Sequence, residues 1–330
     1  DSKEEKVDVY YDAETTFQKA IDQRLNQQTQ NVALQKFIQS EITEEQIESL
    51  VTNYGIDRLV TALGGNKDVK QQQKLLDALN KVTRIGDKRY ENFVHAGGVG
   101  ALTETMNSGL NNPEIVDKSL NILANMSMND RLKHILAMHD VIKLILECMR
   151  KHKKNVQLLH KCCFCLGNLA YNNRANMTRI IELSGVNDII NVMDMHLNEA
   201  NLMKACLDVL SNLMQFSRVN KKLICKKGGG QAVLNVLYTH KKHSLVVMSG
   251  FRALANLAFE IDNIQKLIQL KAVTVVIDTL GVLIKKEDDD CLQVGITVLS
   301  NLAADSKVVD KMVKQGVIKI ILKVSLSSPD

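Results

Sequence analysis

Apolar and polar positions along this chain follow the period of α-helices, and the helices themselves recur as a repeated unit. The segment LGNLA at 166–170 has related copies at 123–127, 210–214, 254–258 and 299–303. A period of about 44 residues separates the copies, which is typical of solenoids built from small helical units. Each copy carries one asparagine at the same place: Asn125, Asn168, Asn212, Asn256 and Asn301.

Three further rows of residues keep a fixed distance from these asparagines. Leucine stands two positions before each of them, and an apolar residue stands five positions before. Six positions before, the residues are small: Ser119, Cys162, Cys206, Gly250 and Gly295. Because apolar residues at three-residue spacing form one stripe of a helix, each copy predicts a long helix with a buried face. The small row predicts a close approach between neighbouring helices.

A second signature predicts the rest of each unit. A glycine or small polar residue followed by apolar residues recurs, as in HAGGVGALT at 95–103 and KQGVIKIIL at 314–322. Such residues permit a tight turn between two short helices, so each unit is predicted to hold two short helices and then the long one. Asn112, Pro113 and Glu114 predict the start of a long helix. Thr43-Glu44-Glu45-Gln46 predicts a capping box near the N-terminus.

With three helices per unit and the L-x-N-L pattern, residues 40–330 resemble the armadillo-repeat family. The resemblance implies an all-α fold, a right-handed α-solenoid of about six armadillo-like repeats over residues 41–330. Residues 1–40 are expected to form a polar helical extension or cap. The last unit lacks its long helix, so we expect the solenoid to be part of a longer array or to be covered by another chain.

In the armadillo family the long helices line a concave groove, and the resemblance assigns that role to the long helices here. Positions four and eight before each asparagine share its face of the helix. The candidate groove residues are Asn121, Asn125, His160, Phe164, Asn168, Lys204, Asp208, Asn212, Arg252, Asn256, Thr297 and Asn301. The asparagine amides are expected to pair with the backbone of an extended peptide or helix of a protein partner. The alternative is that each amide bonds backbone within its own repeat.

Composition narrows the classes of function. The net charge of +5 is too small and too dispersed for a nucleic-acid-binding protein. The presence of only two prolines favours a protein rich in helix. The longest apolar run, at 272–284, is shorter than the roughly 20 residues that a membrane span needs. Seven cysteines without a secretory segment favour reduced thiols in the cytoplasm, with the nucleus left open.

Two stretches raise the question of a cofactor. Cys162, Cys163 and Cys165 stand close together, but each occupies a repeat column that other units fill with small or apolar residues, so core packing is favoured over a metal or redox site. The GGGQ segment at 228–231 follows two lysines but lacks the preceding strand and the G-K-[ST] ending of a P-loop. We therefore expect neither a cofactor nor catalysis.

These features predict a non-catalytic interaction scaffold in a large assembly. Gln/Asn-rich runs such as NQQTQ favour a cytoskeletal, ciliary or axonemal setting. A regulator or exchange-type chaperone of a small GTPase is the alternative. A nuclear transport adaptor is disfavoured because importin-alpha-like proteins carry tryptophan four positions before the asparagines, and this chain has none. Basic clusters at 150–154, 218–222, 226–227 and 240–243 are either solvated surface or a second site for an acidic partner.

Overall fold

The computed structural model describes residues 55–83 and 87–327, and the described part is helical without strands. The predicted extension at 1–40 and the predicted capping box at 43–46 lie outside the described residues. Nineteen helices are described: α1 Ile56–Gly65, α2 Val69–Thr83, α3 Asp87–His95, α4 Gly98–Ser108, α5 Pro113–Ser127, α6 Asp130–Met138, α7 Val141–Lys151, α8 Val156–Ala170, α9 Arg174–Glu182, α10 Gly185–Met195, α11 Ala200–Met214, α12 Arg218–Lys226, α13 Gly229–Thr239, α14 Ser244–Ala258, α15 Ile261–Gln269, α16 Ala272–Ile284, α17 Asp289–Leu302, α18 Ser306–Lys314 and α19 Val317–Ser327.

The described chain falls into two compact units, one ending at Thr105 and the other starting at Met106. In the first unit, α1 packs against both α2 and α3. Among the described residues of this unit, the buried core is aliphatic apart from Phe93, which is fully buried. Gly98 starts α4 directly beside this ring, and a Cβ atom there would lie 2.5 Å from Phe93 Cε2. Glycine at the start of α4 is therefore required by the close approach of the ring.

In the unit from Met106, the predicted three-helix pattern is confirmed. Helices α6 to α17 form four complete sets of a short, a middle and a long helix, with α5 before them and α18 and α19 after them. The long helices α5, α8, α11, α14 and α17 pack each against the next in one layer, and the middle helices do the same in a second layer. The predicted total of about six repeats stays a prediction, because residues 1–54 are not described.

Turns and caps follow the sequence signals closely. The Asn112 side chain accepts hydrogen bonds from the backbone N–H groups of Glu114 (3.0 Å) and Ile115 (3.4 Å), so the predicted start of α5 is confirmed. Before each middle helix of this unit one residue adopts a positive φ: Asp140, Ser184, Gly228, Lys271 and Gly316. Glycine adopts this conformation without steric cost. The turn predicted at 270–278 is present as well, and there a lysine, Lys271, adopts the positive φ.

Small residues on the long helices permit a close approach of neighbouring helices, as the repeat columns predict. A Cβ atom at Gly250 would lie 2.6 Å from Leu237 Cδ2 of the middle helix α13, and one at Gly295 would lie 2.6 Å from Leu280 Cδ2 of the middle helix α16. Cys206 occupies the same row and is fully buried, with its Sγ 3.6 Å from the Sγ of Cys163. The small row is thus the contact between the long helices and their neighbours.

Histidines at the ends of the middle helices form a second periodic contact, which the sequence analysis did not identify. The Nε2 atom of His152 lies 2.8 Å from the carbonyl oxygen of Leu110, one repeat earlier. His196 contacts the carbonyl of Lys153 at 2.7 Å, and His240 contacts that of Leu197 at 2.7 Å. These contacts hold the loop of one repeat against the middle helix of the next.

Among the described residues, no single helix is long and apolar enough to cross a membrane, although α15 and α16, bent by 77° at their junction, pass the same test as a pair. Both helices bury apolar side chains within the protein, including Leu267 and Val276.

A matched pair of glycines tests the close approach. Gly250→Ala should lower the free energy of unfolding by about 1 to 3 kcal/mol, because the added methyl group overlaps the Leu237 side chain. Gly281→Ala, in the interior of α16 with nothing within 4 Å of its Cβ position, should instead raise it by about 0.5 to 1 kcal/mol. Guanidinium unfolding of both variants measures the two shifts, and equal shifts would contradict the packing described.

Candidate functional site

All twelve predicted groove residues lie on the five neighbouring long helices α5, α8, α11, α14 and α17. Each of them keeps part of its surface exposed, whereas the leucines two positions before the asparagines are buried. Phe164 is 41% exposed, and Arg252 and Thr297 are exposed as well. We call these twelve residues the ladder face.

The asparagine side chains of the ladder face reach back to the preceding long helix. The Nδ2 atom of Asn212 donates to the carbonyl of Gly167 at 2.9 Å, and Asn301 donates to the carbonyl of Ala255 at 3.1 Å. Asn256 makes the same contact at 3.5 Å, and Asn168 donates instead to the Ser127 hydroxyl at 3.2 Å. Structural bonds of the kind that the alternative expected are therefore present, but the acceptor belongs to the previous repeat and not to the repeat of the asparagine.

Only part of each amide is used in this way. An asparagine amide has two N–H donors and an oxygen with two lone pairs. For Asn168, Asn212, Asn256 and Asn301, the Oδ1 atom has no hydrogen-bond partner within the described residues. The bond to the previous helix fixes the orientation of each amide and leaves its oxygen available to a ligand.

Most charged side chains on and beside the ladder face form ion pairs with one another. Lys161 Nζ lies 2.6 Å from Asp117 Oδ1 and so bridges α8 and α5. On α11, Lys204 Nζ lies 2.7 Å from Asp208 Oδ2, while the other oxygen of Asp208 accepts a 2.7 Å hydrogen bond from the Ser249 hydroxyl. Both carboxylates therefore have partners within the protein. Arg252 forms no ion pair in the described part of the chain, which leaves the face with an excess of positive charge.

His160 lies on α8 among these lysines. Partial burial lowers the pKa of its imidazole below the ordinary value, and the charges of Lys204 and Lys161 lower it further. The side chain therefore stays neutral at pH 7, and its protonation adds to an already positive surface only in more acidic solution.

The sequence pattern did not identify three residues that organise this face. Lys161, Ser127 and Ser249 each contact a ladder residue or its neighbouring carboxylate across two helices. Lys161 directly follows the predicted His160, and Ser249 directly precedes Gly250 of the small row. These residues are important because they contact residues of a neighbouring repeat, and the spacing of residues along one helix does not predict such contacts.

The basic clusters differ in how much of their charge is free. In the cluster at 218–222, Arg218 and Lys222 both bind the carboxylate of Glu260, which is 1% exposed, at 2.9 Å and 3.6 Å. The hydrogen bond from Arg218 lowers the pKa of Glu260. In the cluster at 150–154, Arg150 binds Asp188 at 2.7 Å. Lys153, Lys154, Lys226 and Lys227 are exposed and form no ion pair within the described residues.

The three cysteines of the sequence motif are fully buried in the core. Cys162 Sγ lies 3.5 Å from Cys148 Sγ, and Cys165 lies 3.8 Å from the carbonyl of Leu120. Burial raises the pKa of the Cys165 thiol well above its ordinary value, so it stays protonated. In the described residues no group of three or more His, Cys, Asp or Glu side chains has the arrangement of a metal site.

The electrostatics of the ladder face can be tested at His160. Replacing Lys204 with methionine removes one nearby positive charge, so the pKa of His160 should rise while burial still keeps it below the ordinary value. NMR titration of the imidazole measures both proteins. Lys226→Met, a change at an exposed lysine on α12, should leave the pKa of His160 unchanged. An unchanged pKa in Lys204→Met would contradict the arrangement.

Solved structures with the same architecture include engineered solenoids. One engineered protein has a TM-score of 0.74 with 20% identity and covers 87% of this chain and 67% of its own. A designed armadillo repeat protein has a TM-score of 0.65 with 16% identity, covering 75% of this chain and 99% of its own. Another, designed and solved in complex with the peptide (KR)4, has a TM-score of 0.65 with 15% identity and the same two coverages. These similarities confirm the armadillo solenoid fold.

Sequence comparisons give one relative and one family match. Over 135 residues it is 24% identical to the protein aardvark of Dictyostelium discoideum, which is 37% of this chain and 18% of that protein. The match thus spans less than a fifth of that relative's length. The model of the GAC ARM domain matches residues 38–279, well over half of the chain. With its repeats, its stacked long helices and this match, the chain belongs to the GAC ARM domain family of armadillo-repeat proteins.

Proposed function

We propose that this chain is a non-catalytic scaffold that binds an extended segment of a partner protein along the ladder face. Armadillo repeats commonly serve as protein-binding scaffolds, and a designed neighbour holds a peptide. The observation that carries the proposal is the set of oriented amides on α8, α11, α14 and α17, whose oxygens have no partner within the described residues.

An extended peptide matches this arrangement because its backbone N–H groups lack partners of their own. Each ladder oxygen can accept one such N–H group, whatever side chain the peptide residue carries. The amides need no reorganisation, since the bond to the preceding helix already holds them. The repeated asparagine amides therefore provide affinity for the peptide backbone, and the other residues of the ladder face provide selectivity for its side chains.

The selectivity that the face supports is for acidic and apolar residues. Asp117 and Asp208 are both bound to lysines, while Arg252 is exposed and has no ion-pair partner in the described chain. Phe164 offers an exposed ring between His160 and Asn168. A segment with a carboxylate near Arg252 and an apolar side chain near Phe164 is the best match.

The wider setting belongs to the same proposal. A scaffold of this kind serves a multi-chain assembly in the cytoplasm, and a cytoskeletal or axonemal assembly is the setting that we favour. The exposed lysines Lys153, Lys154, Lys226 and Lys227 provide a second contact for an acidic partner.

The role of the amides can be tested by combining Asn168→Ala, Asn212→Ala and Asn256→Ala. Binding should be lost because three oriented backbone acceptors disappear together, and each lost bond to the preceding helix should cost roughly 0.5 to 1.5 kcal/mol of stability. Affinity capture from native extract with quantitative mass spectrometry compares the partners of the wild type and of a variant shown by circular dichroism to remain helical.

The matched control is Asn220→Ala. The Asn220 amide donates to the carbonyl of Leu213 at 2.7 Å, so the change removes the same kind of bond away from the ladder face. Partners should persist in this control. If the triple variant retains every partner that the wild type captures, the ladder face is not a binding surface.

Charge selectivity can be tested with two peptides in a fluorescence anisotropy titration. The peptide (KR)4 should bind at least about tenfold more weakly than an alternating glutamate–threonine peptide of equal length, because the face carries excess positive charge. Arg252→Gln should reduce binding of the acidic peptide, whereas Lys319→Gln, a change at an exposed lysine of α19, should not. Tighter binding of (KR)4 would reverse the proposed selectivity.

A further inference from the structure

Large apolar side chains stand exposed in the loops that follow four successive long helices. They are Met128, Tyr171, Phe216 and Phe259, with exposed fractions of 66%, 50%, 70% and 69%. One of them occurs per repeat, just before the next short helix, and we call the four residues the apolar ridge. Met128, Tyr171 and Phe259 stand three positions after the asparagine of their repeat, and Phe216 stands four positions after its own. A series of exposed apolar residues in successive repeats marks an interaction surface, whereas single exposed apolar residues are common in any protein.

Backbone strain at Phe216 gives an independent indication of function. Its φ of +59° lies in the left-handed region, which is unfavourable for a bulky side chain. One repeat earlier the equivalent place before the short helix is occupied by Asn172, with a φ of +54°. Asparagine tolerates this conformation well. A phenylalanine here costs backbone energy, and its exposed ring recovers little of it by packing inside the protein. Strain of this kind is typical of functional positions.

A purely structural role for the ring would be the hydrophobic staple, in which the residue before a helix cap packs on the fourth residue of that helix. After the Ser217 cap of α12 that residue is Lys221, whose Nζ instead lies 4.2 Å from the centroid of the Phe259 ring. Phe216 itself is 70% exposed. The staple therefore does not account for it.

The surroundings of the ridge are basic. The loops and first helical turns at 128–133, 171–174, 215–222 and 259–262 hold six lysines and arginines against three acids. Three of the six are already paired, Lys133 with Asp130 and both Arg218 and Lys222 with Glu260, whereas Arg131 and Arg174 form no ion pair within the described residues. Helix α9 has no acidic residue in its first turn and begins with Arg174, although positive charge is unfavourable at a helix N-terminus. The ridge therefore favours an acidic partner.

The geometry of the ridge selects a helix rather than an extended strand. The backbone N–H groups of Met128, Tyr171 and Phe259 are all bonded to carbonyls at the ends of their own long helices. The N–H group of Phe216 makes no such bond within the described residues. With three of its four N–H groups already bonded, the ridge cannot pair with an extended strand along its length and contacts a ligand mainly through side chains, which suits a helix because its backbone is satisfied internally. Packed helices are about 10 Å apart, and seven residues of an α-helix rise about 10.5 Å.

We propose that the apolar ridge binds an acidic amphipathic helix of a partner protein, with apolar side chains seven residues apart and Phe216 as the central anchor. This surface is distinct from the ladder face, which pairs with extended backbone. The two sites give the scaffold two kinds of ligand.

The probe for the test is a fluorescein-labelled synthetic helix of about 25 residues with leucine at every seventh position and glutamate on either side. The wild type should bind it at least about tenfold more tightly than the same peptide with lysine in place of glutamate. Phe216→Asn should weaken binding about tenfold or more and also raise the thermal midpoint by about 2 °C, because it removes the anchor and relieves the strain. If Phe216 only stabilised the fold, its replacement would lower the thermal midpoint instead.

The controls separate this site from others. Tyr238→Asn, at an exposed aromatic residue of α13, and the triple asparagine variant should both bind the acidic helix normally. Equal binding by Phe216→Asn, or a preference for the lysine peptide, overturns the proposal. The last experiment measures binding of the wild type and of Phe216→Asn to vesicles of phosphatidylcholine and phosphatidylserine. Vesicle binding that depends on Phe216, without peptide binding, would assign the ridge to a membrane surface instead.

Discussion

The contact between successive long helices is the constraint on which the rest of the molecule depends. One unit of two shorter helices and a long one cannot bury its own apolar stripe, so each long helix must be covered by the next. The small row brings the layers together as well: Gly250 and Gly295 leave no room for a side chain beside Leu237 of α13 and Leu280 of α16. Because the same contact recurs, the exposed residues of the long helices recur at the same relative positions, and a repeating binding surface follows from repeating packing.

Hydrogen bonds to backbone carbonyls of the previous repeat complete this stacking. Asparagines on the long helices and histidines such as His196 on the middle helices both reach back one repeat. Two layers of the solenoid are therefore held in register by the same kind of bond. For the asparagines the bond has a second effect, since it orients the amide while leaving its oxygen open. Structural support and peptide binding are thus two uses of one side chain.

The two proposed surfaces differ in the physical basis of recognition. On the ladder face, amide oxygens accept hydrogen bonds from the peptide backbone, and Arg252 and Phe164 add a preference for acidic and apolar side chains. On the apolar ridge, exposed apolar side chains make the contact, and Arg131 and Arg174, which form no ion pair in the described part of the chain, favour acidic helices. The ridge also contains the clearest conflict between local preference and sequence, a phenylalanine in a left-handed conformation at residue 216. Natural sequences tend to retain such conflicts at functional positions.

The sequence by itself determined the repeat, the helix order, the buried rows and the polar face, because periodic burial leaves a periodic pattern in the chain. It also predicted the cap at Asn112 and the burial of Cys162, Cys163 and Cys165. Only the tertiary structure decided the partners of the ladder amides, the Lys161–Asp117 bridge, the histidine contacts and the strain at Phe216. These features join residues about one repeat apart or depend on backbone angles. The spacing of residues within a single helix predicts neither the contacts between repeats nor the backbone angles.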